Sequence, residues 1–406
     1  MAGTHTLEWS RYRMRAKAGT AAKDLQARAE AAVAVALTHS DAVDREARFP
    51  AETFAALREQ RLLGMLAPVE LGGDGATLSD AVDVCYMLGT ACSSSAMIFA
   101  MHQIQIAILT RHGRNSAWHQ EMLRRVCTDQ LLLASSTTEN QTGGVVRASA
   151  CSVERSGSRM ELVKNATVMS YGAEADGVLV TARRAADAAP SDQVLVALLK
   201  GDYELERIKD WDAMGMRGTC STGFTLRANG HVDQVLPEPY ERIHTHSMVP
   251  AAHLTWSGVW TGIAAGAVGR ARKFTRGAAQ STAGQLPPGA AHLTRATMSL
   301  RVLRGSVAAA LSRYEAAATT GDELESPDFQ SAINLLKVSS SETAITTVLG
   351  ALQACGLSGY RNDSEFSIAR SLRDVLSSSI MINNDRILAS AAGSLLLVGV
   401  PPRLRD

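Results

Sequence analysis

The sequence predicts an α+β fold that is mostly α: an N-terminal helical domain over 1–133, a small middle β-barrel or sheet domain over 134–249, and a C-terminal four-helix bundle over 250–406. Three observations carry this prediction. Apolar residues recur at three- and four-residue spacing from Leu25 to about Leu133, the period falls to two between about Ala134 and Val249, and helical spacing returns after Pro250. With 406 residues, 46% of them hydrophobic, the chain has ample material to bury one large core or several smaller ones.

In the first region, the stripes Phe54, Leu57, Leu62 and Leu78, Val82, Leu88 mark separate helices. Pro50 suits a first helical turn, and Pro68 with Gly72, Gly73 and Gly75 marks a loop. In the second region, Val178–Thr181, Val194–Leu199 and Phe224–Leu226 read as strands, and Ala185–Asp192 as an exposed hairpin loop. In the third, amphipathic stretches run over Trp256–Arg276, Leu293–Ala318, Phe329–Cys355 and Leu372–Leu397, which would make four long antiparallel helices. Their surfaces are rich in Ala, Ser and Thr, which suits helices that approach closely and also pack against other subunits.

Composition narrows the function. Lys and Arg total 41 against 40 Asp and Glu, so no net field draws in nucleic acid or an anionic membrane, and partners must be recognised locally. The six cysteines show no C-x-x-C pair and read as free thiols. No stretch gives eighteen apolar residues without a charge and no signal-peptide core follows the basic N-terminus, so a cytoplasmic protein is expected. His102, His112 and His119 read as core imidazoles, and His244-Thr-His246 lacks the third ligand a metal needs.

Several local sequences carry chemistry. Ser135-Ser-Thr-Thr-Glu-Asn-Gln-Thr-Gly-Gly144 is a polar, hydroxyl-rich turn that, by its residues alone, also reads as a strand cap. Lys164–Val180, Trp211–Ser221, Leu352-Gln-Ala-Cys-Gly-Leu-Ser-Gly-Tyr360 and Ala369–Asp374 follow, after the helix and Gly-rich loop of Phe49–Gly75. Taken in order from Phe49 to about Arg386, these resemble the acyl-CoA dehydrogenase family: its T-E-P-x-x-G-S stretch, its N-G-x-K-x-W-I-T-N strand, its W-x-x-x-G-x-R-x-T-x-S stretch, and its I-Q-x-x-G-x-x-G-Y and L-x-R-D pair.

The resemblance implies a flavin, FAD with FMN as the alternative, cradled by Ser135, Thr137, Thr138, Met169 and Ser170. The Ser170 hydroxyl would approach the reactive nitrogen N5 of the ring, where a hydrogen bond steadies its reduced form. Gln280, Gln353, Cys355 and Gly356 would reach a flavin bound by a neighbouring subunit, and Asn384 and Arg386 would contribute polar contacts. It also implies a homodimer or homotetramer, a small-molecule or carrier-bound acyl substrate, and an electron-transfer flavoprotein or a flavin reductase as partner.

The pattern breaks in four places. The family's usual glutamate base, nine residues after Arg373, is Ile382 here, and the first bundle helix offers no acid over Ser257–Ile263. Asp385 is the nearest carboxylate and is the candidate base, unless it pairs with a cation or caps a helix. The phosphate-clamping R-x-T-F-G turn appears as Gln280–Gly284, losing a charge-assisted bond of about 1.5 to 3 kcal/mol. Gly144 stands where a substrate-bonding Ser is usual, and Val168 where a Trp shields the ring.

Two enzymatic readings result. One is α,β-dehydrogenation of an acyl thioester, carried by CoA or a carrier protein, with a non-standard or absent base. The other is a two-component monooxygenase using separately reduced flavin and oxygen, for which no α-proton has to be removed. A flavoprotein without turnover is the third possibility.

Overall fold

The computed structural model describes residues 5–139, 147–281 and 285–396. Five helices come first: α1 (His5–Glu46), α2 (Ala51–Glu59), α3 (Leu78–Ala91), α4 (Ser93–His112) and α5 (Ala117–Asp129). Their starts have local causes. Pro50 opens α2. Thr77 opens α3 with a reciprocal box, its Oγ1 accepting from the Asp80 amide at 3.2 Å while Asp80 Oδ2 accepts from the Thr77 amide at 2.8 Å. Ser116 caps α5 more simply, its side chain accepting from the His119 amide.

Among the described residues seven strands follow: β1 (Leu133–Ser136), β2 (Glu154–Ser156), β3 (Arg159–Met169), β4 (Gly177–Arg183), β5 (Gln193–Leu199), β6 (Tyr203–Lys209) and β7 (Thr222–His231). They form two open sheets, ordered β1-β4-β5 and β2-β3-β7-β6, so the middle region is sheet and not a closed barrel. Along β3 buried and exposed residues alternate, which is the half-buried face that a period of two requires. β4 and β5 are buried on both faces and read as continuous apolar runs. Ala185–Asp192 joins these two antiparallel strands as an exposed hairpin loop.

The chain returns to helix through α6 (Tyr240–Ile243) and one π-helical turn, His244–Met248, that runs directly into α7 (Val249–Ser281). Then come α8 (Ala290–Thr320), α9 (Pro327–Cys355), α10 (Leu357–Tyr360), α11 (Ala369–Ile380) and α12 (Asn384–Leu395). The stretch expected to be one helix over Leu372–Leu397 is therefore two. It breaks at Met381–Asn383, where Ile382 and Asn383 take φ of 56° and 49°. No proline or glycine announces that break.

α3 lies against α7 closely enough that a Cβ added at Gly262 would sit 2.2 Å from the Tyr86 carbonyl oxygen. One continuous apolar core joins helices and sheets, and all six cysteines are free. No helix among the described residues is long and apolar enough to cross a membrane.

Candidate active site

A cleft of about 1410 Å³ lies between the strands and the helical bundle. Its sheet-side wall is built from the loop after β1 and the end of β3, which place Ser135, Thr137, Thr138, Thr167, Val168 and Ser170 along it. Thr138 and Ser170, 32 positions apart in the chain, thus face one cavity.

Behind this wall sits a buried ion pair. Lys164 Nζ donates to Glu139 at 2.7 Å and to the Thr181 carbonyl at 2.6 Å, while the second Glu139 oxygen accepts from the amides of Ala150 and Cys151 at 2.9 and 3.1 Å. Burial works against the Glu139 charge, but Lys164 outweighs it and holds the carboxyl below its usual range. The pair fastens Glu139 and the Ala150–Cys151 backbone to Lys164 of β3 and Thr181 of β4.

Ser170 belongs to a hydroxyl relay. Thr219 Oγ1 donates to the Met216 carbonyl at 2.8 Å, and a carbonyl only accepts. Thr219's single proton is then committed, so Ser221 donates to Thr219 at 2.8 Å and Ser170 donates to Ser221 at 2.8 Å. The Ser170 oxygen is left with lone pairs for the cleft it lines.

The Trp211–Ser221 segment also lines the cleft, through Trp211, Met214, Met216, Thr219 and Ser221. Met214 is 58% exposed, so it is a wall residue rather than core filling. The Arg-Asp pair of α11 pins this segment. Arg373 donates to the Met214 carbonyl at 2.8 Å and pairs with Asp44 of α1, and Asp374 accepts from the Met216 amide at 2.7 Å. Gly215 makes that contact possible, since a Cβ there would lie 2.2 Å from the Arg373 carbonyl oxygen.

Helices close the remaining sides. α4 supplies Met97, Met101, Ile104 and Gln105, and α9 supplies Pro327, Gln330, Ser331 and Asn334 at helical spacing. The α11–α12 junction supplies Leu376, Ile380, Met381, Ile382 and Ile387, so the position of the usual base is an isoleucine in an apolar patch. Arg386 lines the cleft as well.

Other sequence-derived candidates lie elsewhere. Asp385 is exposed in the first turn of α12 and is not part of the wall. Asn384 is turned inward, accepting from the buried Lys337 Nζ at 2.6 Å and donating to Ser341 at 2.9 Å, which consumes its amide. Met169 is fully buried beneath the sheet-side wall. Gln280, Gln353 and Gly356 are exposed outside the cleft, and Cys355 is buried at the end of α9. Gly144 lies outside the described residues.

Sequence reasoning missed the histidines of this cleft. His244, in the π-helical turn, and His253, on α7, both line it, together with Met248, Val249, Ala252 and Trp256 on one helical stripe. Burial pushes His244 down to about 4, aided by nearby Arg147, and pushes His253 down to about 3. Both are neutral imidazoles near pH 7. His246, by contrast, turns away to Glu325 at 2.6 Å. A histidine breaking an apolar stripe next to a π-turn was the available signal.

Two further histidines are structural. His102 bridges the Leu63 carbonyl at 2.8 Å and the Leu133 amide at 3.0 Å, and His112 bridges Glu238 and Ser247 at 2.8 and 2.9 Å.

Known proteins agree with this geometry. Residues 20–130 match the acyl-CoA dehydrogenase N-terminal domain and residues 252–389 the C-terminal domain of the same family. The chain is 27% identical over 365 residues to a 3-sulfinopropanoyl-CoA desulfinase of Paraburkholderia xenovorans (strain LB400), covering 88% of this chain and 91% of that one. It is 27% identical over 232 residues to a dibenzothiophene monooxygenase of Rhodococcus erythropolis, covering 54% of each. The FMN-bound TdsC from Paenibacillus sp. A11-2 superposes with a TM-score of 0.80 at 18% identity, covering 95% of this chain and all 100% of that one, which shows a shared fold. The chain belongs to the acyl-CoA dehydrogenase family and is a flavin-dependent enzyme of that family.

Proposed function

We propose that this protein is a flavin-dependent monooxygenase, taking a flavin reduced elsewhere, by a reductase, and using it with oxygen on a small substrate. The observation that carries the reading is the isoleucine, Ile382, facing the cleft where the family's proton-abstracting glutamate would stand. Dehydrogenation of an acyl thioester requires that base. Asp385 is exposed and outside the wall, so it does not replace it.

The residues present suit a flavin. The sheet-side hydroxyls of Ser135, Thr137 and Thr138 offer donors and acceptors for the pyrimidine edge of the ring. When bound and reduced, that ring supplies the electrons that activate oxygen. Ser170, with its proton committed to Ser221, accepts a hydrogen bond, and the N5 position of a flavin carries an N–H only when reduced. The relay therefore favours the reduced cofactor. Leu376, Ile380, Met381 and Ile387 give that side of the cavity apolar surface beside Ser377 and Arg386. Gln280, Gln353 and Gly356, exposed outside the cleft, are proposed to face the flavin of a neighbouring copy in a dimer or tetramer.

A reaction on an acyl thioester remains the rival, favoured by the extent of the match to the desulfinase. The test is spectroscopic. Protein loaded with FMN or FAD is titrated anaerobically with a panel of saturated acyl-CoA thioesters, and in parallel with flavin reduced beforehand. We expect no bleaching by any thioester and tighter binding of the reduced flavin. Bleaching by a thioester would overturn the proposal.

A further inference from the structure

We propose that His253 is a substrate-binding residue whose ring nitrogen Nε2 accepts a hydrogen bond, so that the cleft selects small, largely apolar molecules bearing an N–H or O–H donor. The inference deepens the reading above and rests on the same cleft being the substrate site.

One backbone carbonyl fixes the tautomer of His253. His253 Nδ1 lies 3.2 Å from the Ile333 carbonyl oxygen of α9, and that oxygen can only accept. Nδ1 must therefore carry the proton. In a neutral imidazole the other nitrogen is then bare, an acceptor and not a donor. Burial keeps the ring neutral, as its depressed pKa of about 3 records. With the Nδ1 edge turned onto α9, Nε2 is the polar atom of this cleft-lining ring that has no partner among the described residues.

The surroundings say what accompanies the donor. The Trp256 ring lies 5.8 Å from the His253 ring, centroid to centroid, and Met248, Val249 and Ala252 flank it on the same helical stripe. Such walls suit a flat or aliphatic body with one polar hydrogen. Asn334 and Ser331 of α9, close to Ile333 in the chain, also line the cleft and offer further polar contacts. The reacting end of a saturated acyl thioester carries no N–H or O–H, so a bare Nε2 there would lose its hydration without return.

The test is a binding measurement, which requires no turnover and so fails or succeeds independently of the oxygen chemistry. Indole and benzothiophene are matched bicycles that differ in the N–H. Calorimetric titration of the full-length protein, with FMN present, is expected to show indole binding about tenfold tighter. In His253→Phe, which keeps an aromatic ring beside Trp256, the preference should fall to about unity through weaker indole binding alone.

Should that variant not fold, nitrogen-15 spectra of histidine-labelled wild-type protein supply the second readout. They are expected to show an unprotonated Nε2 at His253 whose signal moves on adding indole and not on adding benzothiophene. Equal affinities in the wild type, a preference that survives in His253→Phe, binding of neither probe, or a protonated Nε2 would each overturn the proposal.

Discussion

Ser170 shows how much a single hydrogen-bond direction decides. The resemblance places its hydroxyl beside the flavin, but only the relay through Ser221 and Thr219 to the Met216 carbonyl fixes which way its proton points. A serine whose proton is spent inward discriminates between an N5 that has a hydrogen and one that has not. Replacing Ser170 with Ala removes that acceptor and leaves the buried relay otherwise intact. Reduced FMN should then bind about tenfold more weakly while oxidised FMN changes little, as measured by anaerobic titration. An unchanged ratio of the two affinities would show that Ser170 does not read the redox state. His253 belongs at this scale too, because its role depends on one carbonyl of α9 fixing one tautomer.

At the level of elements, the junction between α11 and α12 joins two helices that both line the cleft. Helical periodicity runs through Leu372–Leu397 without a breaker, yet the chain turns at Ile382 and Asn383 with both residues in the left-handed region. Asn tolerates that conformation better than most residues, whereas a β-branched isoleucine there is an outlier. Asn383 also stabilises the turn, its Oδ1 accepting from the amides of Asp385 at 2.9 Å and Arg386 at 3.4 Å. Asn383→Ala removes the cap and the tolerance together. Stability should fall by about 1 to 2 kcal/mol, read as a lowered melting temperature in calorimetry. Because α12 carries Arg386 and Ile387 into the cleft, flavin affinity should fall in the same variant.

Across the whole molecule, buried neutral histidines set the acid limit. His102, His119 and His244 are each pushed down to about 4 by burial, and His253 to about 3. Above the unfolded value near 6.5 these rings are neutral in both states. As pH falls from there, the unfolded chain takes up protons that the folded one refuses. The stability they contribute is therefore present above pH 6.5 and lost as pH falls through about 4, and for His253 through about 3. The melting temperature should begin to drop near pH 6.5, well before ordinary carboxylates titrate. A melting temperature constant from pH 7 to 5 would contradict this account.

The sequence by itself determined the order of helices, sheets and bundle, because periods of 3.6 and two are written in the spacing of apolar residues and need no distant partner. Through the family resemblance it also pointed to Thr138 and Ser170, which the structure places on one cleft. What only the tertiary structure decided was which side chains meet. Asn384 and Asp385 are neighbours in the chain, but one is consumed by Lys337 and the other faces solvent. His244 and His253 gained a cavity because α4, α9 and the sheets converge on one stripe of α7. Contacts between residues far apart in sequence depend on packing of whole surfaces, and no local pattern encodes that.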